Sequence, residues 1–139
     1  PIFEALSYTW ADSTGNADIC MPVYMGPYWQ SLPVTRNCWQ ALRRLRTHGD
    51  RLLWVDAICI NQQDVLERGH QVPLMRQIYT EASRVVAYLG EKGEDDPKLN
   101  LLRTSRRDFD AENRKLLMNK PYFHRLWIIQ ELKLAYKAV

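Results

Sequence analysis

LLWVDAICI, Leu52 to Ile60, is an almost unbroken apolar run that stops at the polar string Asn61, Gln62, Gln63, Asp64. Runs rich in branched side chains belong to strands buried on both faces, the habit of parallel sheets covered by helices. The run predicts a central parallel strand with Asn61 at its carboxyl end. Downstream, RVVAYLG (Arg84 to Gly90) reads the same way and stops at a glycine; upstream, FEALSYTW (Phe3 to Trp10) mixes aromatics with partial alternation and gives way to a polar loop, Asp12 to Asp18. Between the first two strands, Thr35 caps a helix in which Cys38, Leu42 and Leu45 recur at helical spacing with arginines opposite. Between the second and third, Asp64 and Glu67 form a capping-box-like start, and Val72, Met75, Tyr79 and Ala82 keep helical period. Pro73 lacks an N–H and clashes one turn back, so the spacing predicts a short turn through Gly69 and a fresh helix beginning near Pro73. Strand, helix, strand, helix, strand is the pattern of an α/β fold. The expected core includes Leu42, Leu53, Val55, Ile58, Tyr79, Val86 and Trp127.

The second half changes character. Glu91 to Asp96 is a charged linker, Pro97 opens a short helix to about Arg107, Asp110 to Met118 forms another, and Asn119, Lys120 and Pro121 break it. From Tyr122 onward, YFHRLWIIQELKLAY is apolar on most faces and suits a buried helix, so the C-terminal half is expected to be helical.

With 139 residues, 46% apolar and 25% charged, the chain suits a single domain with one core and is too apolar for disorder. It begins without an initiator Met, and its end at Val139 lies inside an apolar run; both suggest a single domain, 1–139, cut from a longer protein. No stretch approaches the roughly 18 uncharged apolar residues of a membrane span, and a cytoplasmic location is expected. Cys20, Cys38 and Cys59 are odd in number and form no CxxC pair, which points to reduced thiols rather than a disulfide framework or a zinc site. Nineteen Lys and Arg against 16 Asp and Glu give a net charge of +3. The basic clusters at 36–46 and 103–125 are short or interleaved with acids, which reads as solvated helix faces and not as a nucleic-acid footprint.

The sequence holds no glycine-rich phosphate loop, HExxH or GxSxG, which removes P-loop hydrolysis, zinc proteolysis and α/β-hydrolase chemistry. His48, His70 and His124 have no ligand spacing and read as loop or surface residues; no metal site is expected. Glu131 shares a helix face with Trp127, Leu134 and Ala135. The spacing alone favours a helix-surface glutamate at the edge of the apolar stripe, the alternative being a carboxylate lining a cleft. Asp56 poses the same choice inside its apolar run, with a structural carboxylate capping loop N–H groups slightly ahead of substrate binding. Ser7, Tyr8 and Trp10 end the first strand, and Cys59 and Asn61 the second, where open α/β sheets bind ligands. Cys59 has no paired base and reads as a buried structural thiol.

Three blocks together resemble the heterokaryon incompatibility (HET) domain of fungal proteins: FEALSYTWAD at 3–12, LWVDAICINQQDVLERGHQVPLMRQIYTEASRVVAYLG at 53–90, and PYFHRLWIIQELKLA at 121–135. Ala11 departs from the family's glycine after SYTW. HET domains trigger fungal cell death and look like distant relatives of TIR domains. ALSYTWAD is similar to the TIR first-strand motif, and HRLWIIQEL to the TIR segment in which a Trp precedes by four residues the glutamate of NAD cleavage. The resemblance implies a TIR-like, flavodoxin-like parallel sheet flanked by helices. By that carry-over Glu131 is the catalytic candidate; the residues expected around the substrate are Ser7, Tyr8, Trp10, Asp56, Asn61 and Trp127.

NAD enters as substrate, with no cofactor. Breaking its nicotinamide–ribose bond releases a neutral leaving group, so one carboxylate suffices and no general acid is needed. Tyr8 or Trp10 would stack on nicotinamide or adenine, and Asn61 would hold ribose or amide. The resemblance also implies self-association, activity that awaits assembly, and regulatory domains or proteins of the same signalling system. The competing reading is a non-catalytic self-association and recruitment module.

Overall fold

A computed structural model describes residues 2–46, 49–91, 115, 118–125, 131, 133, 135 and 137–139. The first strand, β1 (Glu4–Tyr8), is followed by an antiparallel hairpin, β2 (Ile19–Met25) and β3 (Gln30–Thr35), then by α1 (Arg36–Leu45). A two-residue strand, β4 (Leu53–Trp54), runs into the short helix α2 (Asp56–Cys59); α3 (Val65–Glu81) and β5 (Arg84–Tyr88) follow. Pro121–His124 forms a 3-10 turn.

β1 lies between β4 and β5, parallel to both, with Glu4 opposite Leu53 and Arg84, and Tyr8 opposite Tyr88. Alternation along β1 sends Leu6 and Tyr8 to one face, where Val34, Cys38, Ala41 and Val55 close the core, and Ala5 to the other, against Tyr79, Ala82 and Val85. α1 covers the first face and α3 the second, so the sheet is wrapped on both sides. The Thr35 hydroxyl accepts from the Cys38 amide at 3.3 Å and starts α1 as its sequence predicts. Beyond β5, the Val85 amide donates to the Lys137 carbonyl and the Val139 amide to the Val85 carbonyl, adding a parallel bridge at Ala138.

Four expectations are corrected. The run 52–60 is not a central strand: only Leu53–Trp54 pairs, on one side of β1, and α2 follows at once. Asp56 explains the turn, because its Oδ1 accepts from the Ala57 amide at 2.7 Å at the start of α2. The central place belongs to β1. Pro73 does not break its helix; α3 is continuous over it, since Gly69 and Pro73 both face solvent and water can take the carbonyl that proline leaves unpaired. Cys59 is exposed, not buried. Tyr122 begins no helix but sits in the 3-10 turn, with Arg125 extended after it; Glu131 and Lys133 are helical.

Val55 and Tyr79 are core residues as expected, while Leu42, Leu53, Ile58 and Val86 are half-buried. Trp127, His48 and the helices expected over 97–107 and 110–118 lie outside the described residues, apart from Lys115 and Met118, both helical. His70 and His124 are exposed. No helix among the described residues is long and apolar enough to cross a membrane.

Candidate functional site

In the order in which the sheet strands occur along the chain, the first lies between the second and third, so the chain steps from β1 to β4 on one side and then crosses over to β5 on the other. Such a reversal opens a crevice at the carboxyl ends of the strands. A cleft of about 570 Å³ occupies that place, between the ends of β1 and β5. Its wall includes Thr9, Ala11 and Asp12 after β1, Leu89 to Glu91 after β5, Arg36 and Asn37 from the start of α1, and Tyr122. Buried Asn37 fixes the rim, donating through Nδ2 to the Thr9 carbonyl at 2.5 Å and to Thr9 Oγ1 at 3.0 Å. Asp12 Oδ1 accepts from the Thr14 and Asn16 amides, folding the polar loop back on itself. Ala11 has no left-handed φ, so the backbone there makes no conformational demand for the family's glycine.

Behind the cleft wall lies a buried polar cluster. Ser7, next to last in β1 and 1% exposed, donates to Glu131 Oε2, and the Tyr122 hydroxyl lies 2.5 Å from Ser7 Oγ. Because the single Ser7 proton goes to the carboxylate, Tyr122 must donate to Ser7. Arg125 grips the same carboxylate through both terminal nitrogens, at 3.2 and 3.0 Å. Glu131 is 1% exposed, which overturns the surface reading that its spacing favoured. A buried carboxylate is tolerable only when paired and hydrogen-bonded, and this one is both. Burial pushes the Tyr122 phenol up to about 12; the Ser7 hydrogen bond and the Arg125 charge work against the rise and the Glu131 charge adds to it. Burial also raises the Tyr79 phenol, again with Glu131 adding to it, and Tyr79 donates to the Leu6 carbonyl at 3.2 Å. The phenols stay protonated near neutrality, and Tyr122 carries the connection from cleft to carboxylate.

The remaining candidates gather elsewhere. Tyr8 points to the opposite face of β1 from Ser7. Its phenol is raised by burial first and then by the Asp56 charge and the Cys38 thiol, although its hydroxyl makes no hydrogen bond of good geometry. Trp10 Nε1 donates to Asp56 Oδ2 at 2.8 Å, so Asp56 both starts α2 and pins the indole. Asn61 is exposed, its Oδ1 accepting from the Gln63 amide and its own amide donating to Glu67. Trp10 and Asn61 line a second cavity of about 470 Å³ between the hairpin and α2. The sequence candidates thus fall into two groups, Ser7 with Glu131 on one face and Tyr8, Trp10 and Asp56 on the other, with Asn61 beside the second group. Sequence reasoning missed Tyr122 and Arg125, whose only signal was their nearness along the chain to Glu131. Among the described residues no three His, Cys, Asp or Glu side chains converge as metal ligands.

Residues 3–131 match the family described as heterokaryon incompatibility protein (HET). The chain is also 40% identical over 107 residues to "Heterokaryon incompatibility protein 6, OR allele" of Neurospora crassa, a match that takes in 71% of this chain and 16% of that protein. No solved structure matches. With nearly all of its length under the family match, the chain belongs to the heterokaryon incompatibility family.

Proposed function

We propose that this chain is a cytoplasmic cell-death effector domain of fungal heterokaryon incompatibility, built on a TIR-like, flavodoxin-like sheet, and that it cleaves the nicotinamide–ribose bond of NAD. The family membership and the Neurospora relative support the role in incompatibility. The three-strand order with β1 between the two later strands is that of the first half of a flavodoxin-like sheet. One observation carries the enzymatic reading: a buried carboxylate, Glu131, paired with Arg125, is hydrogen-bonded to the end of the central strand directly behind a cleft at the strand reversal. Its charge would stabilise positive charge developing on ribose once Tyr122 yields its place in the wall. Self-association, with regulatory domains or proteins of the same system, would be the event that moves it.

A second reading has its own support. Arg125 and Ser7 already occupy both oxygens of Glu131, as expected for a structural ion pair in a non-catalytic self-association module. NAD loss in a clustered sample, measured for wild type and Glu131→Gln alongside thermal unfolding, separates the two. The catalytic reading expects turnover to fall by about 100-fold or more in molecules that remain folded. Undiminished turnover per folded molecule, or no turnover by clustered wild type, refutes it.

A further inference from the structure

The β2–β3 hairpin takes no part in the wall behind which Glu131 lies, and its chemistry differs from the rest of the chain. From Ile19 to Thr35 no residue is charged, in a sequence that is 25% charged overall. Its inner face, Met21, Val23, Leu32 and Val34, packs on the core, so the hairpin is firmly based. Its end projects Tyr24, Met25, Tyr28 and Trp29 into solvent, at 58, 38, 85 and 76% exposure, with Tyr24 and Trp29 edge to face at 6.3 Å. Trp29 has φ 53°, the left-handed region that bulky side chains avoid. An exposed turn could use glycine or asparagine there at lower cost; a strained tryptophan points to use of the side chain itself.

The hairpin's backbone is closed to partners. Pro22 and Pro33 pair across the strands, and since neither has an N–H the pair must be of the non-hydrogen-bonded kind, with both nitrogens turned to the outer edges. Each edge thus lacks a donor in its middle, which blocks extension by another strand. What remains to be recognised is a narrow, convex, uncharged aromatic tip. Stable protein interfaces use about 20 to 30 residues a side, which a four-residue turn cannot supply. Tyrosine, tryptophan and methionine without charge are instead suited to the headgroup zone of a bilayer, where a ring buries its apolar body and keeps its polar handle wet.

We propose that the tip of this hairpin is an interfacial anchor that inserts Tyr28 and Trp29 into the headgroup layer of a lipid bilayer, with no requirement for anionic lipid. The test is co-sedimentation of the chain with phosphatidylcholine vesicles and with vesicles containing added phosphatidylserine, at low and high salt. Binding to phosphatidylcholine alone, unchanged by salt, is expected. A blue shift in the emission difference between wild type and Trp29→Asn should accompany it, which isolates Trp29 from the other four tryptophans. The double variant Trp29→Asn with Tyr28→Ser should bind at least tenfold less while unfolding at no lower temperature, because asparagine tolerates the left-handed turn. Three results would overturn the proposal: no sedimentation with either vesicle, as expected if the tip docks in a protein pocket; binding that needs phosphatidylserine and vanishes in salt; or equal binding by a folded double variant.

Discussion

Cys38 and Cys59 show how one side chain's surroundings decide its chemistry. Cys38 sits at the sheet-facing side of α1, fully buried, and burial pushes its thiol up to about 11, with the neighbouring Tyr8 hydroxyl working against the rise. Cys59, inside an almost unbroken apolar run, ends α2 and faces solvent, as does Cys20. Since the thiolate is the reactive form, two cysteines should react with a thiol reagent in the native protein at pH 8. The third should react only on unfolding; a count of three fast thiols would show that α1 is not seated on β1. Glu131 teaches the converse. Its helical spacing favoured a surface position because the groups that bury it, Ser7 and Tyr122, are remote in sequence or hidden in a 3-10 turn; a cleft carboxylate was the lesser alternative, and the family resemblance made it the catalytic candidate.

Among elements, those with a single strong period were legible in the chain: α1 with its Thr35 cap, and β5 with its unbroken RVVAY. The hairpin was not, because Pro22, Pro27 and Pro33 punctuate it and proline counts against a strand. Antiparallel pairing absorbed two of them as an edge-facing pair and the third in the turn. The run 52–60 misled for a different reason: an apolar run of this length does not separate strand from helix, and here β4 and most of α2 are half-buried, with only Val55 and Ile60 of the run buried. Pro73 in α3 was read as a break because the rule ignores what surrounds the freed carbonyl. If solvent takes over the Gly69 carbonyl, Pro73→Ala should restore one helical hydrogen bond and stabilise the chain by ~1–2 kcal/mol in urea unfolding, less what the more flexible unfolded chain takes back. A loss of stability would mean that the proline ring makes contacts worth more than the bond.

At the scale of the whole molecule, Glu4 ties the three strands of the sheet together. Its Oε1 accepts from Arg84 Nε at 2.6 Å on the β5 side, and its Oε2 accepts from Arg51, just before β4, whose Nη1 also donates to the Leu45 carbonyl at 2.8 Å. Burial alone would raise the Glu4 carboxyl, but the hydrogen bonds and charges of Arg51 and Arg84 outweigh it and hold the group below its ordinary value of 4.5. A carboxyl depressed in the folded state contributes stability above that ordinary value and loses it as pH falls through the lower, folded one. Glu4→Gln should therefore cost ~2 kcal/mol at neutral pH and flatten the acid limb of a stability profile followed by circular dichroism. An unchanged profile would show that the pairs are solvent-screened.

The same carboxylate reaches partners 47 and 80 positions along the chain. In a parallel sheet no strand finds its neighbour through a tight turn, so β1, the central strand, has nothing to pair with until both distant segments arrive. Loop closure must come before any reward from the ladder, which slows the search for the native state to the millisecond-to-second range of non-local topologies. During that interval the apolar ALSY stretch stands unpaired, and the chain is most open to sticking to copies of itself before it is finished rather than after.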